Sequence, residues 1–175
     1  MEVKHPEQVK TSESKEKEVR KRFLSFLLKD ELYGIDILQV QEIIQLVQVT
    51  RIPRVVDYIS GVINLRGQVI PVLDLRKRFK IESNEKKFKR QCIIVVHVKV
   101  DDNELLFGLK VDEISEVQTI ITKDIQTPSL NKDGKNISSG FIKGMGILGE
   151  KVMTILDTKK VVSKDGCEDS DEEES

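Results

Sequence analysis

Gly61-Val-Ile-Asn-Leu-Arg-Gly67, followed by Gln68-Val-Ile-Pro-Val-Leu-Asp-Leu75, is the stretch on which the fold turns. Two apolar runs of strand length flank Gly67, a residue that enters left-handed backbone without steric penalty, so the pair reads as a hairpin. Pro71 interrupts the second run and has no N–H to give a neighbour, which implies an edge strand or a bulge. Asp74 is placed to cap a helical turn over Arg76–Phe79.

The same pattern returns near the other end of the chain. Gly61 to Asp74 spans 13 steps, and so does Gly144 to Asp157, 83 residues further on. Val69-Ile-Pro-Val-Leu-Asp74 thereby lies over Val152-Met-Thr-Ile-Leu-Asp157. Earlier in each copy, Tyr33-Gly-Ile-Asp-Ile37 matches Phe107-Gly-Leu-Lys-Val111 at an offset of 74. The offset grows by 9, which one insertion explains, most simply in 127–139. One β-rich half is written twice, with about five short strands in each copy, enough for a small SH3-like barrel. A half of roughly 60 residues has a marginal core alone. The expected fold is therefore mainly β: two five-stranded SH3-like barrels packed around a shared apolar seam, with short helices.

The remaining segments fill in this plan. Phe23–Leu28 and Leu32–Ile37 flank Lys29-Asp30-Glu31 as a hairpin. Val40, Ile43 and Ile44 stand at helical spacing, predicting a short helix or turn over Leu38–Ile44, and Val111–Val117 reads the same way. Gln45–Ile52 alternates and predicts a strand ended by Pro53. Gln91–Val100 and Glu104–Val111 predict a second hairpin, and Thr119–Ile125 an extended segment. Residues 1–22 and 163–175 are charged and almost free of hydrophobes, predicting a flexible arm and an acidic tail around a body of 23–162. Within that body the halves run from about 23 to 80 and from about 91 to 157.

Composition narrows the function. The 175 residues carry a net charge of −1, with 34% charged, 38% apolar and 5% aromatic residues and no Trp. That balance gives no whole-chain attraction to nucleic acid or to an anionic membrane, and no base-stacking surface. The basic run Lys86-Lys87-Phe88-Lys89-Arg90 is the only motive for an alternative reading as a tandem-barrel nucleic-acid binder, and a solvated linker explains it. No apolar run approaches a membrane span, and Met1 leads into a polar stretch, so a cytoplasmic protein without membrane insertion is expected. Of the two cysteines, Cys92 lies in an apolar run and Cys167 in the acidic tail, which gives neither a disulfide framework nor metal spacing.

Catalytic chemistry finds little to work with. His5 and His97 are the only histidines, one in the arm and one in a strand pattern, so no Ser–His–Asp or Cys–His set can be assembled. Gly144-Met-Gly-Ile-Leu-Gly149 spells G-x-G-x-x-G, but the dinucleotide fingerprint needs a helix after it, and Lys151–Leu156 reads as a strand. Asn136-Ile-Ser138 is a glycosylation sequon by pattern alone. No catalytic residue, metal ligand or cofactor is expected.

Tyr33-Gly-Ile-Asp-Ile-Leu-Gln-Val-Gln-Glu-Ile43, Thr50-Arg-Ile-Pro53 and the Gly61–Arg76 stretch resemble the CheW family, the coupling proteins of bacterial chemotaxis, over roughly residues 22–162. The resemblance implies two SH3-like barrels around a common core and no enzymatic activity. It also implies an adaptor that joins the regulatory domain of the histidine kinase CheA to the cytoplasmic tips of methyl-accepting chemoreceptors, in arrays at the inner face of the membrane. A monomer in isolation is expected. By this resemblance Val40, Gln41 and Glu42, with Asn64, Arg66 and Gly67 of the Asn-Leu-Arg-Gly turn, border a groove that accepts a helical receptor tip. Gln48, Val49 and Thr50 match a kinase contact on the first barrel, and Leu130 a second contact on the second. Arg66 suits a fork onto a receptor carboxylate, or an internal salt bridge that includes Glu42.

Overall fold

The computed structural model describes residues 17–82, 90–127 and 140–163. The first half supplies β1 (Arg20–Leu28), β2 (Glu31–Asp36), β3 (Val40–Gln45), β4 (Ile59–Leu65) and β5 (Gln68–Asp74). The second supplies β6 (Cys92–Val100), β7 (Asn103–Val111), β8 (Glu113–Ile121), β9 (Ile142–Leu148) and β10 (Lys151–Leu156). Each half ends in a short helix, α1 (Leu75–Arg78) and α2 (Thr158–Val162), capped by the side chains of Asp74 and Asp157.

The chain is mainly β, in two five-stranded sheets, but the sheets do not follow the halves. Sheet I has the order β8-β1-β2-β10-β9 and sheet II the order β3-β6-β7-β5-β4. Each takes the opening hairpin of one half and the last three strands of the other. Moving every strand five places along the chain converts one order into the other, so the sequence duplication is a structural one with its hairpins exchanged. A lone two-stranded hairpin is marginal in water. Here each opening hairpin is flanked on both sides by strands of the opposite half.

The exchange explains the near-continuous apolar run of β6, a strand buried on both faces. Ile94, Val96 and Val98 enter a cluster shared with Leu24, Phe26, Leu28 and Ile35 of sheet I. Ile93 and Val95 face the other way, into a cluster internal to sheet II with Ile63, Ile70 and Val72. Sheet I has its own counterpart in Phe23, Ile120, Met153 and Ile155. Two polar ties cross the seam. Arg76 Nε donates to Asp112 Oδ2 at 2.8 Å, and the Nη2–Oδ1 distance is 2.7 Å, both residues being buried where the chain passes from sheet II to sheet I. Arg78 donates to the carbonyls of Val161 (2.9 Å) and Ser163 (2.7 Å), satisfying the end of α2. Its guanidinium also lies 4.2 Å from the Tyr58 ring centroid and 4.6 Å from that of Phe141.

Four local expectations are corrected. Leu38–Ile44 is not a helix: Asp36 caps a single 3-10 turn, Ile37–Gln39, and the β-branched residues after it pair with β6 as a strand. Val111–Val117 is likewise no turn, because β8 starts at Glu113 and runs beside β1. The strand expected over Gln45–Ile52 reduces to one bridge, Thr50 to Val62. Of the two placements open to Pro71 the edge is excluded, since β5 lies between β7 and β4, while a register shift does occur next to it, between Ile59 and Gly61 opposite Leu73 and Val72. The proline is tolerated because Val62, its partner on β4, turns both its N–H and its C=O to Thr50, at 2.9 Å each. The Val62–Pro71 pair is thus non-hydrogen-bonded, and pairing with β7 begins only at Val72.

Candidate functional site

Glu42 and Arg66 come from opposite edges of sheet II. Glu42 sits on the inward-alternating face of β3. Arg66 and Gly67 form the two-residue turn between β4 and β5, with φ of 52° and 83°. Two positive φ values are the mark of a type I′ hairpin turn. Asn64 Oδ1 closes it by accepting from Gly67 N at 2.8 Å. From that turn Arg66 reaches across to Glu42 with Nη1 to Oε1 at 2.7 Å and Nη2 to Oε2 at 2.9 Å, a two-pronged fork. The guanidinium donors hold the Glu42 carboxyl below its ordinary range, and the carboxylate raises Arg66 in turn. Since β3 and β4 end the sheet on opposite sides, the fork ties the edges of a curled sheet.

The same closure recurs in the backbone. Thr50 exchanges two hydrogen bonds with Val62 on β4, both 2.9 Å long. A Cβ on Gly61 would lie 2.0 Å from the Thr50 carbonyl oxygen, and its φ of 141° is closed to other residues, so this position requires glycine. Sheet I repeats the bridge with Gln126 and Met145.

The residues expected to bind partners fall into three places. Glu42, Asn64, Arg66 and Gly67 form one connected cluster, with Gln41 exposed beside it and Val40 half-buried against the shared core. Arg66 therefore uses its fork internally, although its side chain stays 72% exposed. Gln48 is exposed, Val49 packs on the inner cluster of sheet II, and Thr50 is the β4 bridge. Leu130 lies outside the described residues, as do Lys86–Lys89 of the basic run.

A groove of about 750 Å³ begins at Ile43, next in the chain to Glu42, but none of Val40, Gln41, Glu42, Asn64, Arg66 and Gly67, expected to border a groove, is among its lining residues. Ile43, Ile44, Gln45 and Leu46 from β3 and the loop after it line it with Gln91, Cys92 of β6 and Ile114 of β8, so both sheets contribute. Arg90 and Glu113, 3.1 Å apart, stand at its rim. Burial pushes the Cys92 thiol up, away from reactivity. Ile43 and Leu46 are exposed on a strand and loop where water-facing residues are expected to be polar. The period-2 pattern of β3, once seen, is the signal that would have placed Ile43 outward.

Other motifs resolve into structure. His97 Nδ1 lies 2.7 Å from Glu104 Oε1 on the adjoining strand. Gly144–Gly149 forms β9 and its turn into β10, so no helix end follows to receive a phosphate. Cβ atoms on Gly144 and Gly146 would strike Ile125 and Ile120 at 2.5 and 2.4 Å, which accounts for those glycines by packing. Among the described residues no group of three His, Cys, Asp or Glu side chains is arranged to hold a metal. No described helix is long and apolar enough to cross a membrane.

A family model described as the CheW-like domain matches residues 22–166. The chain belongs to the CheW family. The chemotaxis protein CheW of Klebsiella aerogenes is 33% identical over 147 residues, 84% of each chain. That of Treponema pallidum is 33% identical over 143 residues, covering 81% of this chain and 82% of its own. Among solved structures, the scaffolding protein TtCheW of Thermoanaerobacter tengcongensis is similar at a TM-score of 0.72 and 34% identity, over 85% of this chain and 92% of that one. These similarities span the body bounded by β1 and α2, so the two-sheet architecture with exchanged hairpins is that of a CheW domain.

Proposed function

We propose that the chain is a non-catalytic adaptor of bacterial chemotaxis, coupling the cytoplasmic tips of methyl-accepting chemoreceptors to the regulatory domain of the histidine kinase CheA. The observation that carries this reading is the groove lined by residues of both sheets, on a chain whose family relatives are chemotaxis proteins and a scaffold. Ile43, Ile44, Leu46 and Ile114, set among Gln45 and Gln91 with one charge of each sign, suit an amphipathic helix that brings an apolar stripe and a polar flank. The Glu42–Arg66 fork holds β3, and with it Ile43 and Ile44, in place beside that groove. Gln48 and the exposed apolar residues Val47, Ile52, Val55 and Val56 supply a separate face for the kinase. Work of this kind places the protein in the cytoplasm, at receptor arrays on the inner face of the membrane.

The test is reconstitution from purified parts. With receptor cytoplasmic domains and the kinase of the same organism, the chain raises receptor-dependent autophosphorylation and co-elutes with the kinase regulatory domain. Failure to bind either partner removes the reading. Ile43→Asp is expected to lose the receptor while retaining the kinase, because it puts a charge on the groove wall and leaves the other face intact.

A further inference from the structure

The two sheets differ at a place where the duplication predicts an ion pair in both. β3 and β8 carry the same register slip against their partners, between Val40 and Glu42 in one and opposite Leu24–Phe26 in the other. Matching the slips sets Val40 over Ile114 and Glu42 over Glu116. The hairpin turns match likewise, Leu65-Arg66-Gly67-Gln68 over Leu148-Gly149-Glu150-Lys151. Glu116 thus repeats Glu42, but Gly149 stands where Arg66 supplies the guanidinium. No ion pair of Glu116 occurs among the described residues, and its Oε1 accepts only from Gln118 on its own strand, at 2.7 Å.

What the missing arginine leaves is an open groove of about 680 Å³ on sheet I. Its apolar lining is Leu27, Leu32, Leu148 and Val152. Val152 is 52% exposed and its cross-strand partner Ile147 is 55% exposed, an apolar pair at a hairpin tip. Asp30, Glu31 and Glu116 bring three carboxylates to the rim against one cation, Lys151. Glu31 is held in place by the Tyr33 hydroxyl, which donates to it at 2.9 Å.

We propose that this groove binds a β-turn of a partner protein that presents an arginine beside an aliphatic side chain. The partner supplies in trans on sheet I what Arg66 supplies in cis on sheet II. Arginine rather than lysine is specified because the matching carboxylate on sheet II takes its guanidinium as a two-pronged fork, which an ammonium cannot form. The aliphatic neighbour is specified by the exposed Val152 and the leucines beneath it.

The test needs only this chain and one probe, so it stands apart from the adaptor reading. The probe is a cyclised peptide of Ile63–Ile70, which carries the Arg66 turn with Val69 three residues on. Titrated into the isotope-labelled full chain, it is expected to give saturable amide shifts at Glu116, Gly149 and Val152. Glu116→Gln, or lysine for arginine in the peptide, weakens binding at least tenfold. The paired variant Gly149→Arg, Glu150→Gly closes the groove from within and abolishes binding. Both changes are needed: Gly149 has φ of 62° while Glu150 does not share a positive φ, and an Arg-Gly pair restores the first turn's geometry. If the paired variant loses its circular dichroism signal, the exposed Glu116→Gln variant decides alone. Shifts elsewhere, or equal binding by the lysine peptide, overturn the proposal. Sedimentation showing the chain pairing with itself through Glu116 also overturns it, by giving the groove to a second copy.

Discussion

Asp112→Ala is expected to be the most damaging single polar change in the described body. The Asp112 carboxylate accepts from Lys29 N at 2.6 Å and from Arg76 Nε at 2.8 Å, with Arg76 Nη2 a further 2.7 Å away. Asp112 is 2% exposed and Arg76 7%. Removing the carboxylate takes from a buried guanidinium its Asp112 partner, which costs about 3–5 kcal/mol. Against a total stability of about 5–15 kcal/mol that is roughly a fifth or more. For a domain of this size it corresponds to a fall in melting temperature of roughly 6–20 °C. Calorimetry and urea unfolding measure it, with the midpoint falling and the slope unchanged. The control is Arg76→Met with Asp112→Leu, which replaces both charges by apolar volume and is expected to recover most of the loss. A fall of less than about 2 °C in the single variant would refute the reasoning, because it would mean that Arg76 reaches water without its partner. A double variant no better than the single would show that the site needs charge, and not merely its neutralisation.

Three further outcomes are expected. Arg66→Ala and Glu42→Ala lower receptor-dependent kinase activity while circular dichroism shows a folded chain; if both simply unfold it, the fork is structural and not part of the binding face. Arg66 holds Glu42 below the ordinary carboxylate value of 4.5, so the fork's stabilisation is fully present above that pH and fades as pH falls through the lowered value. Urea midpoints of the parent and of Arg66→Ala should therefore differ near neutrality and converge in acid, and a gap that widens in acid would reverse the sign. Gly61→Ala drives a methyl against the Thr50 carbonyl oxygen, 2.0 Å away, and is expected to cost about 1–3 kcal/mol by thermal unfolding, with faster amide exchange at Thr50 and Val62.

The strands were legible where alternation or turn chemistry stood out, as around Gly67 and in Gln91–Val100, and the duplication was legible from spacing alone. The helix expected over Leu38–Ile44 failed because Val40, Ile43 and Ile44 suit helical spacing, whereas pairing with β6 turns Ile43 outward and Glu42 inward. Pro71 was read as edge or bulge and only the edge is excluded, because its tolerance in a central strand depends on where the polar groups of Val62 point, a fact of the partner strand. Glu42 and Arg66 were paired correctly as one of two readings, because a long fork and a carboxylate on facing elements are recognisable chemistry. A groove was expected beside Glu42 and Arg66, but its lining by Ile43, Leu46 and Ile114 was not legible. Its walls belong to different sheets, and no local pattern records that strands 70 residues apart in sequence approach one another.

The exchange of opening hairpins has a consequence for the chain as a unit of inheritance and expression. Each sheet is a joint product, so neither copy of the repeat can be produced, inherited or degraded as a module. Split between Glu82 and Arg90, the gene would encode two fragments that each carry an orphan hairpin and three strands awaiting one. Their folding would become second order in concentration. The covalent linker thus converts a mutual dependence between two partners into an internal one.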